Sequence, residues 1–192
     1  MFILFFISPF FFISIFIFIF SIGPDKETIS LIGVGIIWTL LLLSSTLSLR
    51  KFYQDDFENG NLLIIHLNGF SFGLIAILKT FSHFLFVQVP FLLSIPIACI
   101  LLNIANDKLF YLFASFSIGS LILSCLGSIS SSMNLMNQRN FLLGSVIVMI
   151  FSVPIIIFSV GIINMEENFN SLISILFGIL LIVLAINPWA SG

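Results

Sequence analysis

Residues 2–22 read FILFFISPFFFISIFIFIFSI, an uncharged run of Phe, Ile and one Leu interrupted only by Ser8, Pro9, Ser14 and Ser21. At ~1.5 Å rise per residue, a helix of this length just crosses the ~30 Å hydrocarbon core of a bilayer. A secretory leader would carry a basic segment ahead of a shorter apolar stretch and then a small-residue cleavage site. Here no charge precedes the run, and it leaves through Gly23-Pro24-Asp25-Lys26-Glu27. The segment is read as a retained membrane helix.

The pattern repeats along the chain. Further apolar runs cover residues 29–49, 80–102, 109–131, 141–163 and 171–186, separated by short polar turns. Pro90 and Pro96 fall in the third run and Pro154 in the fifth, which membrane helices tolerate because neighbouring groups satisfy the freed carbonyls. The fourth run is rich in Gly and Ser, residues that let helices approach closely in lipid. The expected fold class is an all-α membrane protein, a bundle of about six transmembrane helices forming one permease-like domain over residues 1–192.

Composition agrees. Of 192 residues, 60% are hydrophobic and 7% charged, with a mean hydropathy of +1.29. Soluble domains carry about 25% charged residues. The net charge of −2 and the lack of any Lys/Arg cluster exclude a nucleic-acid partner. The 25 phenylalanines are explained most simply as interchangeable lipid-facing residues chosen by an AT-rich genome. Cys99 and Cys125 lie inside apolar runs without a C-x-x-C pair, so they read as small hydrophobes.

Basic residues set the orientation. With the N-terminus in the cytoplasm, Arg50, Lys51, Lys79 and Arg139 face inward and only Lys26 and Lys108 face outward. This obeys the positive-inside rule and places both termini in the cytoplasm.

Residues 50–79 form a cytoplasmic loop in which 52–61 is the most polar stretch of the chain. Asp55, Asp56, Glu58 and Gly60 stand at the inner end of the second span. Residues 62–78, broken by His66, Asn68, Gly69 and Gly73, read as an interfacial or re-entrant segment. A carboxylate cluster beside a chain-turning Gly and a half-apolar segment suits a docking surface for a soluble partner; the bland alternative is a solvated turn. No Gly-x-x-x-x-Gly-Lys-Ser/Thr loop is present, so nucleotide hydrolysis by that route is excluded. No paired carboxylate lies within a span, as a proton-coupled carrier would need. His66 and His83 could ligate iron in principle, but isolated as they are, they read as interfacial residues bonded locally.

Several motifs together resemble a known family. They are Ser21-Ile22-Gly23-Pro24, Gly35-Ile36-Ile37-Trp38 and Leu43-Ser44-Ser45, then Phe52, Asp55-Asp56, Gly60 and Leu62. Leu78-Lys79, His83, the proline-bearing third span, Gly119, Leu126-Gly127, Pro154 and Asn187-Pro188-Trp189-Ala190 follow. The chain resembles the haem exporter protein B (CcmB-type) permeases of cytochrome c maturation. It departs from their pattern in opening directly on the first span, where members carry a basic amphipathic stretch.

The resemblance implies a non-enzymatic permease subunit of an ABC-type transporter in a bacterial inner membrane, with the mitochondrial inner membrane as the alternative. The implied partners are a CcmA-type ATPase that binds the ATP, a CcmC-type haem-handling membrane protein, a small accessory membrane protein and a second copy of the chain. Haem is the implied transported species, and no cofactor is expected to bind this chain directly. The lack of intramembrane charge or a convincing axial ligand favours transmission of ATP-driven movement over conduction of haem. Two rivals remain: an ABC-2-type exporter permease with another substrate, and a small structural subunit of a respiratory complex.

Overall fold

A computed structural model describes residues 2–49, 52–136, 141–164 and 168–191. It is all-α among these residues. Helices α1 (Phe2–Ile22) and α2 (Lys26–Leu49) form a first hairpin. Two short helices follow, α3 (Gln54–Glu58) and α4 (Asn61–Leu67). A long third membrane helix then runs as α5 (Phe72–His83), a π-helical turn (Phe84–Gln88) and α6 (Val89–Leu101). After a 3-10 turn (Asn106–Lys108) come α7 (Leu109–Met136), α8 (Phe141–Asn164) and α9 (Phe169–Ser191).

Lipid dictates this architecture. Without water in the hydrocarbon core, each segment satisfies its backbone internally, so even the β-branched, Phe-rich α1 is helical through Pro9. Among the described residues, five segments have the length and apolarity to cross a bilayer: Lys26–Ser48, Phe72–Leu101, Asn106–Leu135, Val146–Ile163 and Phe169–Ser191. With α1 they give the expected bundle of about six. Asp25 caps α2, its carboxylate accepting from the backbone N–H of Glu27 at 3.1 Å and Thr28 at 3.4 Å.

Helix α7 is the hub, packing against α2, α5, α8 and α9. Among its buried serines, three return their protons to the helix: Ser115 to the Leu112 carbonyl, Ser120 to Ser117 and Ser124 to Ser120. Where α2 crosses α7, the buried Trp38 ring lies over Gly119 and 5.1 Å from Phe116. Phe11, Ile15, Ile37, Ile95 and Leu112 complete the core.

Several expected boundaries move, and the fourth run extends to Met136. The third span begins at Phe72 rather than near residue 80, so the expected interfacial segment 62–78 divides. Its first part is the exposed α4; its last part is the first turns of the membrane helix. Gly73, read as a breaker, is small because Pro188 of α9 packs on it: a Cβ there would lie 3.2 Å from the Pro188 carbonyl oxygen. The sixth helix starts at Phe169 and runs on through Pro188 to Ser191, beyond the expected end at residue 186.

The helix ends alternate. Tyr111 packs edge-on against Phe169 at 5.2 Å, and Gly33 lies against Leu102 and Ile104, so these turns share one end. The opposite end carries α3, α4 and the end of α9, where Ser132 donates to the Ala190 carbonyl at 3.3 Å. Arg50, Lys51, Arg139, Glu166 and Glu167 lie outside the described residues. With the basic bias, cysteines at Asn106 and Asn168 are expected to react with an impermeant maleimide from outside intact cells. A cysteine at Asn59 should react only after permeabilisation; the reverse pattern would invert the orientation.

Candidate partner-docking site

The turn between α2 and the third membrane helix is anchored from within. Phe52 and Tyr53 are buried, and the Phe52 ring lies 4.9 Å from both Tyr53 and His83. The Tyr53 hydroxyl shares a hydrogen bond with Ser128 of α7 at 2.8 Å. Burial pushes the Tyr53 phenol above its ordinary value, which keeps it a neutral hydroxyl.

On this anchor sits α3. Its Asp56 carboxylate forms an ion pair with Lys79 of α5 and also accepts from the Asn61 side chain at 3.1 Å. The same Lys79 ammonium donates to the Phe52 carbonyl at 2.9 Å and lies 5.5 Å from the centre of the Tyr53 ring. Lys79, expected in a loop before the third span, is therefore within the helix, and its charge is carried back to the turn. Gly60 begins α4 at φ +71°, the left-handed region that favours Gly, and reverses the chain between α3 and α4.

The four expected site residues separate into two groups. Asp56 and Gly60 hold the element in place. Asp55 and Glu58, three positions apart and so on one side of the short helix, are exposed together with Phe57. Glu58 accepts from Gln54 at 2.8 Å, which orders its carboxylate at the surface. The exposed surface of α3 thus presents two carboxylates on one side and an aromatic ring beyond Glu58, on a base braced against α5 and α7.

The histidines part company. His66 is exposed and local, stacked at 4.1 Å on Phe72 and donating from Nδ1 to the Phe70 carbonyl at 2.9 Å. His83 is buried and its partners are far along the chain: Nε2 meets Ser48 of α2 at 2.7 Å and Nδ1 meets Ser124 of α7 at 3.1 Å. This corrects the expectation that both bond locally. Nearby, Gln88 donates to Ser45 at 2.8 Å, and Asn187 of α9 donates to Thr80 at 2.9 Å. Sequence reasoning missed these interhelical polar pairs; their signal was the recurrence of polar residues within the otherwise apolar α2, third membrane helix, α7 and α9. No group of three or more metal-ligating His, Cys, Asp or Glu occurs among the described residues.

Removing the imidazole leaves Ser48 and Ser124 bonded to the Ser45 and Ser120 carbonyls. His83→Ala should therefore cost mainly packing, about 1–3 kcal/mol, seen as a lower unfolding midpoint in detergent. His66→Ala should leave the midpoint unchanged, and equal midpoints for both variants would refute the interhelical role of His83.

Comparison with known proteins bears on the chain as a whole. A family model described as "CcmB protein" matches residues 4–192. The heme exporter protein B of Haemophilus influenzae is 32% identical over 146 residues, 76% of this chain and 66% of the relative. That of Paracoccus denitrificans is 33% identical over 135 residues, 70% of this chain and 62% of the relative. That of Bradyrhizobium diazoefficiens is 28% identical over 177 residues, covering 90% and 80%. The chain thus spans just under two thirds of the length of the first two relatives. A match running from the first membrane helix to the end of the last is not confined to common lipid-facing residues, and by it the chain belongs to the CcmB family.

Proposed function

We propose that this chain is the membrane permease subunit of an ABC-type haem exporter that serves cytochrome c maturation in a bacterial inner membrane. Family membership across residues 4–192 carries the reading. The named relatives are heme exporters, and the substrate is taken from them. ATP hydrolysis belongs to a separate, CcmA-type subunit, with a CcmC-type haem-handling protein, a small accessory membrane protein and a second copy of this chain in the assembly.

In this reading the permease receives motion rather than generating it. The outward face of α3, with Asp55, Phe57 and Glu58, is the contact for the ATPase. The Asp56–Lys79 pair and the Tyr53–Ser128 hydrogen bond pass its displacement to the third membrane helix and to α7. Haem is the transported species and no side chain of this subunit is its resident ligand.

The test is to delete the gene and complement it while following covalent haem attachment to c-type cytochromes, alongside the proteins retained with the tagged chain after mild detergent extraction. Loss of attachment restored by complementation, with an ATPase retained, is expected. Normal cytochromes c, or an oxidoreductase retained in place of an ATPase, would overturn the reading.

A further inference from the structure

We infer that the π-helical turn at Phe84–Gln88 is a register switch in the third membrane helix, pinned in its wide form by His83 and Gln88. The inference rests on the functional reading above and names the moving part inside it.

The wide turn has a local cause. Val89 donates its N–H to the Phe84 carbonyl, five residues back rather than four. Pro90, next in line, has no N–H to give, and in an α-helix its ring would press on the carbonyl four residues earlier. Widening the turn relieves that contact. One-turn π segments of this kind recur at functional sites in helices.

Two clamps then hold it. At the start of the turn, His83 reaches Ser48 of α2 and Ser124 of α7; at its end, Gln88 reaches Ser45 of α2. Ser45 and Ser48 are three residues apart and share one face of α2. In a continuous α-helix, residues five apart point about 140° from each other at ~3.6 residues per turn. His83 and Gln88 could not then both face α2, and Val87, four residues on from His83, would take the place of Gln88. The wider turn returns Gln88 to the same side.

The second clamp is shallow. Gln88 Oε1 is buried with no hydrogen-bond partner among the described residues, so a single hydrogen bond, to Ser45, holds this side chain. The input is close by. Lys79 binds α3 one helical turn before His83, so displacement of α3 acts on the half of the helix that must rotate if the turn closes to α. Closing would turn Phe72–His83 relative to Val89–Leu101 by exchanging Gln88 for Val87 against α2.

Disulfide trapping reads the register directly. With Cys99 and Cys125 replaced by Ala, Ser45→Cys is paired with Gln88→Cys or with Val87→Cys in membranes containing the co-expressed ATPase. Without nucleotide, the 45–88 disulfide should exceed 45–87, because Pro90 and the His83 clamp, both intact in these variants, still hold the wide turn when the Gln88–Ser45 bond is gone. Pro90→Ala, which restores the missing donor, should reverse the ratio, as should the non-hydrolysable analogue AMP-PNP, each by about tenfold for a two-state element. A 45–88 preference unmoved by Pro90→Ala shows a fixed turn, and reversal by Pro90→Ala with no response to AMP-PNP shows a turn that is not coupled; either overturns the inference. Absence of the ATPase from the membranes when the chain is present and folded instead removes the functional reading, and the inference with it.

Discussion

Gly119→Ala should sharply lower the unfolding midpoint of the purified protein, at a cost of about 1–3 kcal/mol or more, the range for overpacking a tight core. A Cβ at this position would stand 2.3 Å from Cη2 and 3.1 Å from Cζ3 of Trp38, and 3.3 Å from Ile155 Cγ2. The obstacle is the rigid edge of an indole that is fully buried and packed on Phe116, so no flexible end can swing away. The backbones of α2 and α7 would have to separate, loosening the contact around which the bundle is organised. Gly35→Ala is the control, because nothing lies within 4 Å of its Cβ position and Ala is favoured over Gly in a helix by about 1 kcal/mol. Trp38→Leu should partly rescue Gly119→Ala by vacating the space, at its own cost in buried area. The two glycine variants melting together would mean that close approach of α2 and α7 is not what Gly119 provides.

That contact also shows what could be read from the chain alone. Long uncharged runs such as residues 2–22 declare themselves, because lipid leaves the backbone one solution and the bilayer fixes its length. Gly119 and Trp38 were visible as motif residues, but not as partners, since they lie on different helices. The third span was misjudged for a related reason. Gly73 looks like an interruption of an apolar run until Pro188 stands opposite it, and the partners of Thr80 and His83, which are Asn187, Ser48 and Ser124, lie on other helices. A polar residue in a membrane helix costs little when another helix supplies its hydrogen bond, and the sequence does not say which helix that will be. The π-helical turn was equally hidden, although Pro90 supplied half of the clue. In the docking element, the acidic cluster and the turn at Gly60 were legible as composition. The division of labour within the cluster depends on Lys79, 23 positions beyond Asp56.

Charge reversal separates those roles. Asp55→Lys combined with Glu58→Lys should weaken recovery of the ATPase while leaving the membrane level and unfolding midpoint of the chain largely intact, because both carboxylates are exposed and Lys79 keeps its ion pair with Asp56. Truncating or reversing a desolvated interfacial charge contact costs about 2–5 kcal/mol, and a rim contact far less. A loss of recovery of about tenfold or more at equal membrane abundance therefore places the outer face of α3 inside the contact, since tenfold is ~1.4 kcal/mol and above the typical worth of an exposed pair. Asp56→Lys should behave differently. It sets a second ammonium against Lys79, which then keeps the Phe52 carbonyl, the Tyr53 ring and the attraction of Asp55, so the turn itself should loosen and the midpoint fall. The swapped pair Asp56→Lys with Lys79→Asp should recover the midpoint in part, because the opposite charges again face each other across the same gap. Recovery of the ATPase equal to wild type in Asp55→Lys/Glu58→Lys, with haem attachment to cytochromes c also unchanged, would make the outer face of α3 a solvated turn. A fall in the midpoint as large as that of Asp56→Lys would instead mean that the two carboxylates hold the fold. The exposed positions of Asp55 and Glu58 and the braced position of Asp56 argue against both outcomes.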